Sequence, residues 1–123
     1  MQNKVYVNQE GLICVEYHGP QDYQLIKDAT AQIKEQCLVF REQLKPVLVL
    51  SDYTHIGYVD SGGRKASIEE MQPKNTPLFD KAALFGKNVY YTVSSNLLIK
   101  ATGLGKKVKV FTTKQKAVQW LKR

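Results

Sequence analysis

The chain has 123 residues, of which 43% are hydrophobic and 24% are charged. This length suits one domain with its own core, and the hydrophobic fraction is typical of soluble globular proteins. No apolar run approaches the roughly 18 residues that a membrane-spanning helix needs. Residues 1–9 lack the apolar core of a secretory signal. We therefore expect a single domain over residues 1–123, located in the cytoplasm and without a transmembrane segment.

Charge is distributed unevenly along this chain, whose net charge is +7. Residues 1–60 contain 5 basic and 8 acidic side chains, whereas residues 61–123 contain 13 basic and 3 acidic ones. Such asymmetry favours an acidic partner, an anionic surface or the association of two copies. A basic face that only keeps a small protein soluble is the simpler alternative.

The cysteines and histidines exclude the common metal sites. Cys14 and Cys37 are the only cysteines, they form no CxxC pair, and the chain has only two histidines. Zinc sites need closely spaced sets of these residues. We expect two reduced, buried thiols, and neither a metal ion nor a cofactor.

A hairpin and a long helix are predicted before residue 46. Val5 and Val7 alternate with polar residues, and residues 12–17 are apolar on most of both faces, which indicates two paired strands. The second strand is expected to end at residues 18–20, with Pro20 in the first helical turn. The apolar face of that helix has steps of three and four residues and comprises Ile26, Ala29, Ile33, Cys37, Phe40 and Leu44.

Residues 46–70 form the centre of the prediction. Residues 47–50 are an uninterrupted apolar run, which is typical of a strand buried on both faces. A helix precedes this strand, so it is expected to pair in parallel with the strand before the helix. We expect the strand to break at Ser51 and Asp52 and a loop to follow. Asp60 or Ser61 would cap the next helix, predicted over residues 66–71.

Four elements and a final helix are predicted after residue 71. They are a short helix over residues 76–85 capped by Gly86, a strand at 89–93, a helix within 94–105, and a strand at 108–111. Thr112 and Gln115 have the spacing of a capping box for the last helix. The apolar face of that helix comprises Ala117, Val118, Trp120 and Leu121.

This order of elements indicates an α/β protein with a single mixed, mostly parallel sheet, an N-terminal hairpin and covering helices. Ligands meet such sheets at the carboxyl ends of the strands. Those ends are expected at residues 51–53, 94–96 and 112–113.

The central stretch resembles the core of STAS domains, which sulphate transporters and anti-sigma-factor antagonists share. Residues 47–52 (VLVLSD) lead through a short loop to residues 59–63 (VDSGG), where STAS domains carry Asp-Ser-(Ser/Thr/Ala)-Gly-(Leu/Ile) at a helix start. The last strand and helix are similar to those of small STAS-like bacterial proteins of unassigned function, which also resemble the lipid-binding CRAL-TRIO fold. The resemblance covers residues 5–121 and implies a STAS-like fold and a regulatory role through binding another protein.

Two residues depart from the STAS pattern. Gly62 occupies the position at which antagonists carry the phosphorylated serine or threonine, and Arg64 replaces an aliphatic residue. Glycine has no hydroxyl group, so a phosphorylation switch would need Ser61 instead. A phosphate there would meet the aligned N–H groups of a helix N-terminus.

We therefore expect a non-enzymatic binding or regulatory module whose partner is another protein, with a small anionic or lipid ligand as a variant. Tyr53 and Tyr58 would provide contact area, Arg64 and Lys65 would attract acidic groups, and the glycines would permit close approach. The predicted site comprises Asp52, Tyr53, His55, Tyr58, Asp60, Ser61, Gly62, Gly63 and Arg64.

Two other functions are compatible with the sequence. A basic adaptor could bind nucleic acid or an anionic membrane through residues 87–123, which hold 9 basic and no acidic side chains. A hydrolase could use Ser51 or Ser61 with His55, although the chain lacks the GxSxG nucleophile motif. A monomer and a homodimer are both compatible with the charge pattern.

Overall fold

The structure is a computed structural model that describes residues 3–70, 79–86 and 106–123. A single five-stranded sheet runs through these residues in the order β1-β2-β3-β4-β5. The strands are β1 (Lys4–Val7), β2 (Ile13–Gln21), β3 (Leu48–Val59), β4 (Lys81–Phe85) and β5 (Val108–Phe111). The helices are α1 (Tyr23–Glu42), α2 (Ser61–Glu70) and α3 (Lys114–Leu121).

The strand directions confirm the predicted mixed sheet. β1 pairs with β2 in antiparallel fashion, as expected for the hairpin. The pairs β2–β3, β3–β4 and β4–β5 are all parallel. The parallel strands consequently begin at one edge of the sheet, here called the amino edge, and end at the opposite one, the carboxyl edge.

The helices pack on opposite faces of the sheet. On one side, here called the α1–α2 face, residues of α1 and α2 cover alternate strand residues such as Val15 and Tyr17. On the other, the α3 face, Ala117, Trp120 and Leu121 cover the intervening ones. The strand residues alternate because successive side chains point to opposite faces. Both cysteines are free and buried, and burial raises the pKa of Cys37 to about 11.

The boundary between β2 and α1 differs from the predicted one. β2 continues through Pro20 to Gln21, and Asp22 caps the helix by accepting a hydrogen bond from the Leu25 backbone N–H at 2.8 Å. A side-chain acceptor with extended backbone geometry is the usual N-cap arrangement. The prediction that Pro20 opens the helix is wrong because Asp22 provides the cap two residues later.

The buried face of α1 agrees with the predicted spacing except at its end. Ile26, Ala29, Cys37 and Phe40 are buried. The helix ends at Glu42, and Leu44 has a φ of 56° and a side chain that is 94% exposed. Leu44 therefore lies beyond the helix and does not belong to its apolar face.

The helix predicted over residues 76–85 is wrong where the structure describes it, because Lys81–Phe85 is the strand β4. Ala82 and Leu84 pack on the α1–α2 face, whereas Ala83 and Phe85 pack on the α3 face. A short apolar run buried on both faces has no periodicity that separates a strand from a helix. The strand and helix predicted at 89–93 and within 94–105 lie outside the described residues.

The last two elements are confirmed with one shift. β5 covers Val108–Phe111, and α3 buries Ala117, Trp120 and Leu121. The cap is Thr113, whose hydroxyl oxygen accepts a hydrogen bond from the Lys116 N–H at 3.3 Å. The cap predicted at Thr112 is wrong by one residue.

Candidate functional site

β3 extends well beyond the break predicted at Ser51 and Asp52. It has 12 residues, and Ser51 is buried inside it. Two irregularities interrupt its pairing with β2, each inserting one extra residue into β3. Asp52, Tyr53, His55 and Tyr58 consequently lie on a bulged strand and not on a loop, because this stretch pairs with β2.

The first bulge sets the direction of His55. Asp52 accepts a hydrogen bond from the Thr54 backbone N–H at 2.8 Å, and the register changes from Glu16 opposite Asp52 to His18 opposite His55. One extra residue reverses the alternation of side chains beyond it. His55 thus lies on the α3 face, where its ring stacks on that of His18 with centroids 5.7 Å apart.

A row of polar side chains on the α3 face was missed in the sequence. Glu16 accepts a hydrogen bond from the Tyr6 hydroxyl at 2.7 Å, and its other oxygen lies 3.3 Å from Nε2 of His18. The bond from Tyr6 is the main cause that lowers the pKa of Glu16. The alternation of Cys14, Glu16 and His18 in β2 placed these residues on one face, but the position of His55 depended on the bulge.

Tyr53 faces the opposite side of the sheet and lies among core residues. Its ring stacks on that of Tyr17 with centroids 4.9 Å apart. Burial raises the pKa of Tyr17 to about 12 and that of Tyr53 well above its ordinary value. Tyr53 therefore packs beneath α1 and α2, and of the two tyrosines predicted to give contact area only Tyr58 projects into solvent.

Glycines allow the end of β3 and the start of α2 to approach β2. A Cβ on Gly57 would lie 2.8 Å from the backbone carbon of Gly19. A Cβ on Gly63 would lie 2.9 Å from the Gln21 carbonyl oxygen and 2.8 Å from Cγ1 of Val59. No side chain fits at either position without a shift of the neighbouring chain.

Gln21 is a second residue that the sequence did not indicate. Its side chain is buried and its amide nitrogen donates to the carbonyl oxygens of His18 and Gly19 and to the side chain of Asn3. The backbone carbonyl oxygen of Gln21 accepts a hydrogen bond from the Asp60 backbone N–H at 3.2 Å. These bonds join the ends of β2 and β3 at the carboxyl edge, directly below the start of α2.

α2 begins at Ser61, five residues earlier than predicted. Asp60 caps it by accepting a hydrogen bond from the Gly63 N–H at 2.7 Å, and the Asp60 carbonyl oxygen accepts from the Arg64 N–H at 2.9 Å. Ser61 is exposed. A Cβ on Gly62 would lie 3.3 Å from both Asp60 Oδ1 and Tyr23 Cβ, so position 62 faces the start of α1.

Ion pairs hold the other end of α2 against α1. Nζ of Lys27 lies 2.7 Å from Glu69 and 2.9 Å from Glu70, and Nζ of Lys34 lies 3.1 Å from Glu70. The Tyr23 hydroxyl donates to Glu69 at 2.8 Å. Burial raises the pKa of Glu70, but the two ammonium groups more than offset this and hold it below its ordinary value.

These contacts leave one face of α2 in solvent. Its exposed residues follow the helical spacing i, i+3, i+4 and i+7, which places them on one side of the helix. Tyr58, 68% exposed, lies directly before the helix, and Ile68 is 45% exposed. We call this set the α2 surface; it comprises Tyr58, Ser61, Arg64, Lys65 and Ile68.

The residues considered for hydrolysis or metal binding do not converge. Within residues 3–70, 79–86 and 106–123, no hydrogen bond joins His55 to Ser51 or Ser61, and Ser51 is buried in β3. No group of three His, Cys, Asp or Glu residues in these ranges could hold a metal ion. Of the helices described, none is long and apolar enough to cross a membrane.

Comparison with protein families assigns the chain. The sequence model of a domain of unknown function, DUF7793, matches residues 6–123. The chain belongs to the DUF7793 family. Comparison with curated proteins finds no match.

Three solved structures share the fold of this DUF7793 chain. An uncharacterised DUF3478 protein from Shewanella loihica PV-4 with a SpoIIAA-like fold has a TM-score of 0.69 and 15% identity, covering 97% of this chain and 91% of its own. The anti-sigma factor antagonist SpoIIAA in its unphosphorylated form has a TM-score of 0.60 and 12% identity, covering 98% and 96%. The Bacillus cell fate determinant SpoIIAA in its phosphorylated form has a TM-score of 0.55 and 14% identity, covering 96% and 97%.

At these identities the likeness concerns the fold. The chain has the SpoIIAA-like, STAS-like α/β architecture, which confirms the fold implied by the central motif.

Proposed function

We propose that this chain is a non-enzymatic regulatory module that binds another protein through the α2 surface. One observation carries the proposal: a helix fixed by a glycine-mediated contact and by ion pairs exposes Tyr58 and Ile68 beside two cations. A rigid helix with exposed apolar groups loses little conformational freedom on binding.

The chemistry of the α2 surface indicates the partner it would suit. Tyr58 offers a large aromatic contact at low entropic cost. Ile68 lies about 10 Å along the helix from its first residue, Ser61, at 1.5 Å per residue, and Arg64 and Lys65 stand between Tyr58 and Ile68 in the chain. A complementary partner would present two apolar depressions with carboxylates between them.

The fold supports a regulatory role. Two of the solved neighbours are SpoIIAA, which is named as an anti-sigma factor antagonist and as a cell fate determinant. We extend from that name only the kind of function, regulation through contact with another protein.

The other predicted site residues fall into two groups, one that supports this surface and one that lies away from it. Asp60, Gly62 and Gly63 fix the start of α2, and Tyr53 packs beneath it. Asp52 and His55 lie on the α3 face and would not contact a partner seated on α2.

Ser61 is the position at which we expect any phosphorylation of this surface. It is exposed at the first residue of α2, where a phosphate would meet free N–H groups and Arg64 one turn on. The intact mass of the chain purified from its own source tests this. Ser61→Ala should remove the mass of one phosphate, and an unmodified wild-type chain would contradict the expectation.

Capture of partners on immobilised full-length chain tests the proposal. Tyr58→Ala with Arg64→Glu should abolish recovery of the proteins that the wild type retains, because the contact area and the charge are both removed. A matched control, Leu38→Ala with Lys116→Glu, changes an exposed apolar and a basic residue elsewhere and should keep them. Equal recovery by the two double variants would show that the α2 surface is not the binding surface.

The same variants separate a protein partner from the small anionic or lipid ligand predicted as a variant. Native mass spectrometry of wild type purified at low salt would detect either. One contrary outcome is a small ligand on the wild type that the Tyr58→Ala, Arg64→Glu variant lacks, while neither chain captures a protein. That result would show that the α2 surface binds a small ligand and not a protein partner.

A further inference from the structure

The amino edge of the sheet gathers the ends of several elements. The Asp80 N–H donates to the Val47 carbonyl oxygen at 2.8 Å, and the Ala82 N–H donates to the Lys107 carbonyl oxygen at 2.8 Å. α3 also ends here, since Nζ of Lys81 donates to the Trp120 carbonyl oxygen at 3.1 Å. The chain entering β3 and the chain entering β5 are thus two strand positions apart, about 10 Å at 4.8 Å per strand.

Leu44 projects from this edge in an unusual conformation. The Leu44 N–H donates to Arg41 and the Lys45 N–H donates to Phe40, which together form a Schellman ending of α1. Leu44 occupies the left-handed position of that motif, where glycine is usual, with φ 56°. Its side chain is nevertheless 94% exposed and is held outward by both backbone bonds.

Basic side chains share the amino edge with this leucine. Exposed cations at the amino edge are Lys45, Lys106, Lys107, Lys122 and Arg123. Among the described residues of this edge, the carboxylate of Asp80 accepts from the Val47 N–H and pairs with Arg41, Glu10 pairs with Lys122, and Glu42 is exposed at the end of α1. Lys45, Lys106 and Lys107 therefore give the edge a net positive charge.

We propose that the amino edge binds the surface of an anionic lipid bilayer. Leu44 enters the boundary between headgroups and acyl chains, and Lys45, Lys106 and Lys107 contact lipid phosphates. Peripheral proteins combine these two contributions, a small apolar insertion and a cluster of basic residues, because neither suffices alone.

The observations favour a bilayer over nucleic acid. Binding of single strands uses exposed aromatic rings on which bases stack. Trp120 at the end of α3 is buried, and Tyr58, the most exposed tyrosine among the described residues, lies at the carboxyl edge. The three cations assigned to phosphates, Lys45, Lys106 and Lys107, are lysines, which act as point charges and not as bidentate ligands of defined geometry. An isolated outward leucine contributes nothing to a contact with a phosphate backbone, but it has a direct role at a lipid surface.

This inference is independent of the proposed function and compatible with it. β3 has 12 residues and runs from the amino edge to the carboxyl edge. At about 3.3 Å per residue these edges lie roughly 35–40 Å apart. A chain seated on a membrane through Leu44 would therefore keep Tyr58 and the start of α2, at the carboxyl edge, away from the lipid.

Sedimentation with vesicles tests the proposal on the full-length chain. We expect binding to vesicles made of equal parts of phosphatidylcholine and phosphatidylglycerol, and none to phosphatidylcholine alone. High salt should release the chain.

Leu44→Asn should weaken binding about tenfold by removing the apolar area that enters the lipid. Asparagine suits the left-handed conformation, so this variant keeps the fold. Lys45→Gln with Lys107→Gln should weaken binding about fivefold per lysine.

Two matched controls make the test specific to this edge. Lys114→Gln with Lys116→Gln removes the same charge at the start of α3, near the carboxyl edge, and should change binding less than about twofold. Tyr58→Asn removes an exposed apolar residue at the far end and should leave vesicle binding unchanged. Equal losses for both lysine pairs, or no effect of Leu44→Asn, would overturn the proposal. Tighter binding to single-stranded RNA than to the anionic vesicles, with RNA binding unaffected by Leu44→Asn, would also overturn the proposal. The basic residues of this edge would then be assigned to nucleic-acid binding.

Discussion

The two edges of the sheet are built differently. At the amino edge, β3, β4 and β5 begin in regular register and backbone bonds join their ends. At the carboxyl edge, β3 continues with two bulges, glycines contact neighbouring backbone, and a buried glutamine joins β2 to the start of α2.

This difference shows where the fold requires particular residues. The amino edge is joined by hydrogen bonds between backbone groups, and it carries the exposed Leu44 and several exposed lysines. The carboxyl edge holds α2 in one orientation through contacts that only glycine permits at positions 57 and 63. Substitutions at the carboxyl edge should therefore lower the free energy of unfolding, and a substitution of Leu44 at the amino edge should raise it.

The largest expected effect follows Gly63→Ala. The new Cβ would meet the Gln21 carbonyl oxygen and Val59, both part of fixed strands, so we expect a loss of about 1–3 kcal/mol in the free energy of unfolding. Gly62→Ala is the matched control, because its Cβ contacts of 3.3 Å with Asp60 and Tyr23 need a shift of only a few tenths of an ångström, and alanine raises the helix propensity. Urea unfolding of both variants measures the difference. Equal stability would show that α2 can shift away from β2 without cost.

Asp60→Ala should have the next largest effect. The carboxylate accepts the Gly63 N–H and caps α2, and loss of such a cap costs about 1 kcal/mol. Asp60→Asn should restore most of this stability, since the amide oxygen can accept the same bond. An alanine variant as stable as the wild type would show that the Asp60 cap does not stabilise the start of α2.

Leu44→Gly should stabilise the chain by about 0.5 kcal/mol. Relief of the left-handed conformation gains roughly 1–2 kcal/mol, and the entropy of an added glycine in the unfolded chain offsets up to about 1 kcal/mol. Little packing is lost because the side chain is 94% exposed. Thermal unfolding measures the shift. A clear loss of stability would mean that Leu44 packs against the fold, which would also weaken the bilayer proposal.

The smallest expected effect concerns acid. Because the pKa of Glu70 is lowered from its ordinary value of 4.5 in the folded chain, the pairs with Lys27 and Lys34 stabilise the fold above that pH and lose this contribution as the pH falls below it. Lys34→Met should therefore destabilise the chain at neutral pH and matter less at about pH 3. A loss of stability that is the same at both pH values would show that Lys34 acts through packing alone. Lys116→Met, at an exposed lysine, is the control.

Helical periodicity and one uninterrupted apolar run predicted elements that the structure contains. The spacing of Ile26, Ala29, Cys37 and Phe40 gave α1, and residues 48–50 and 108–111 lie in the strands β3 and β5. β4 was mistaken for a helix because its residues 82–85 are buried on both faces and show no alternation of polarity.

The geometry of the carboxyl edge depended on long-range contacts that a sequence pattern does not contain. Polar residues at 51–58 suggested a loop, yet pairing with β2 keeps them in a strand. The bulge at Tyr53 and Thr54 decides the face on which His55 lies. Gln21 looked like an ordinary surface residue, and its burial follows from Asn3 and the end of β3 meeting there.

Hydrogen exchange on the complex that the wild-type chain captures would show which surface the partner covers. We expect amides of residues 58–68 to exchange more slowly in the complex than in the free chain, while those of α3 and the amino edge do not change. Protection confined to α3 or the amino edge, with residues 58–68 unchanged, would contradict the claim that this chain acts through the α2 surface.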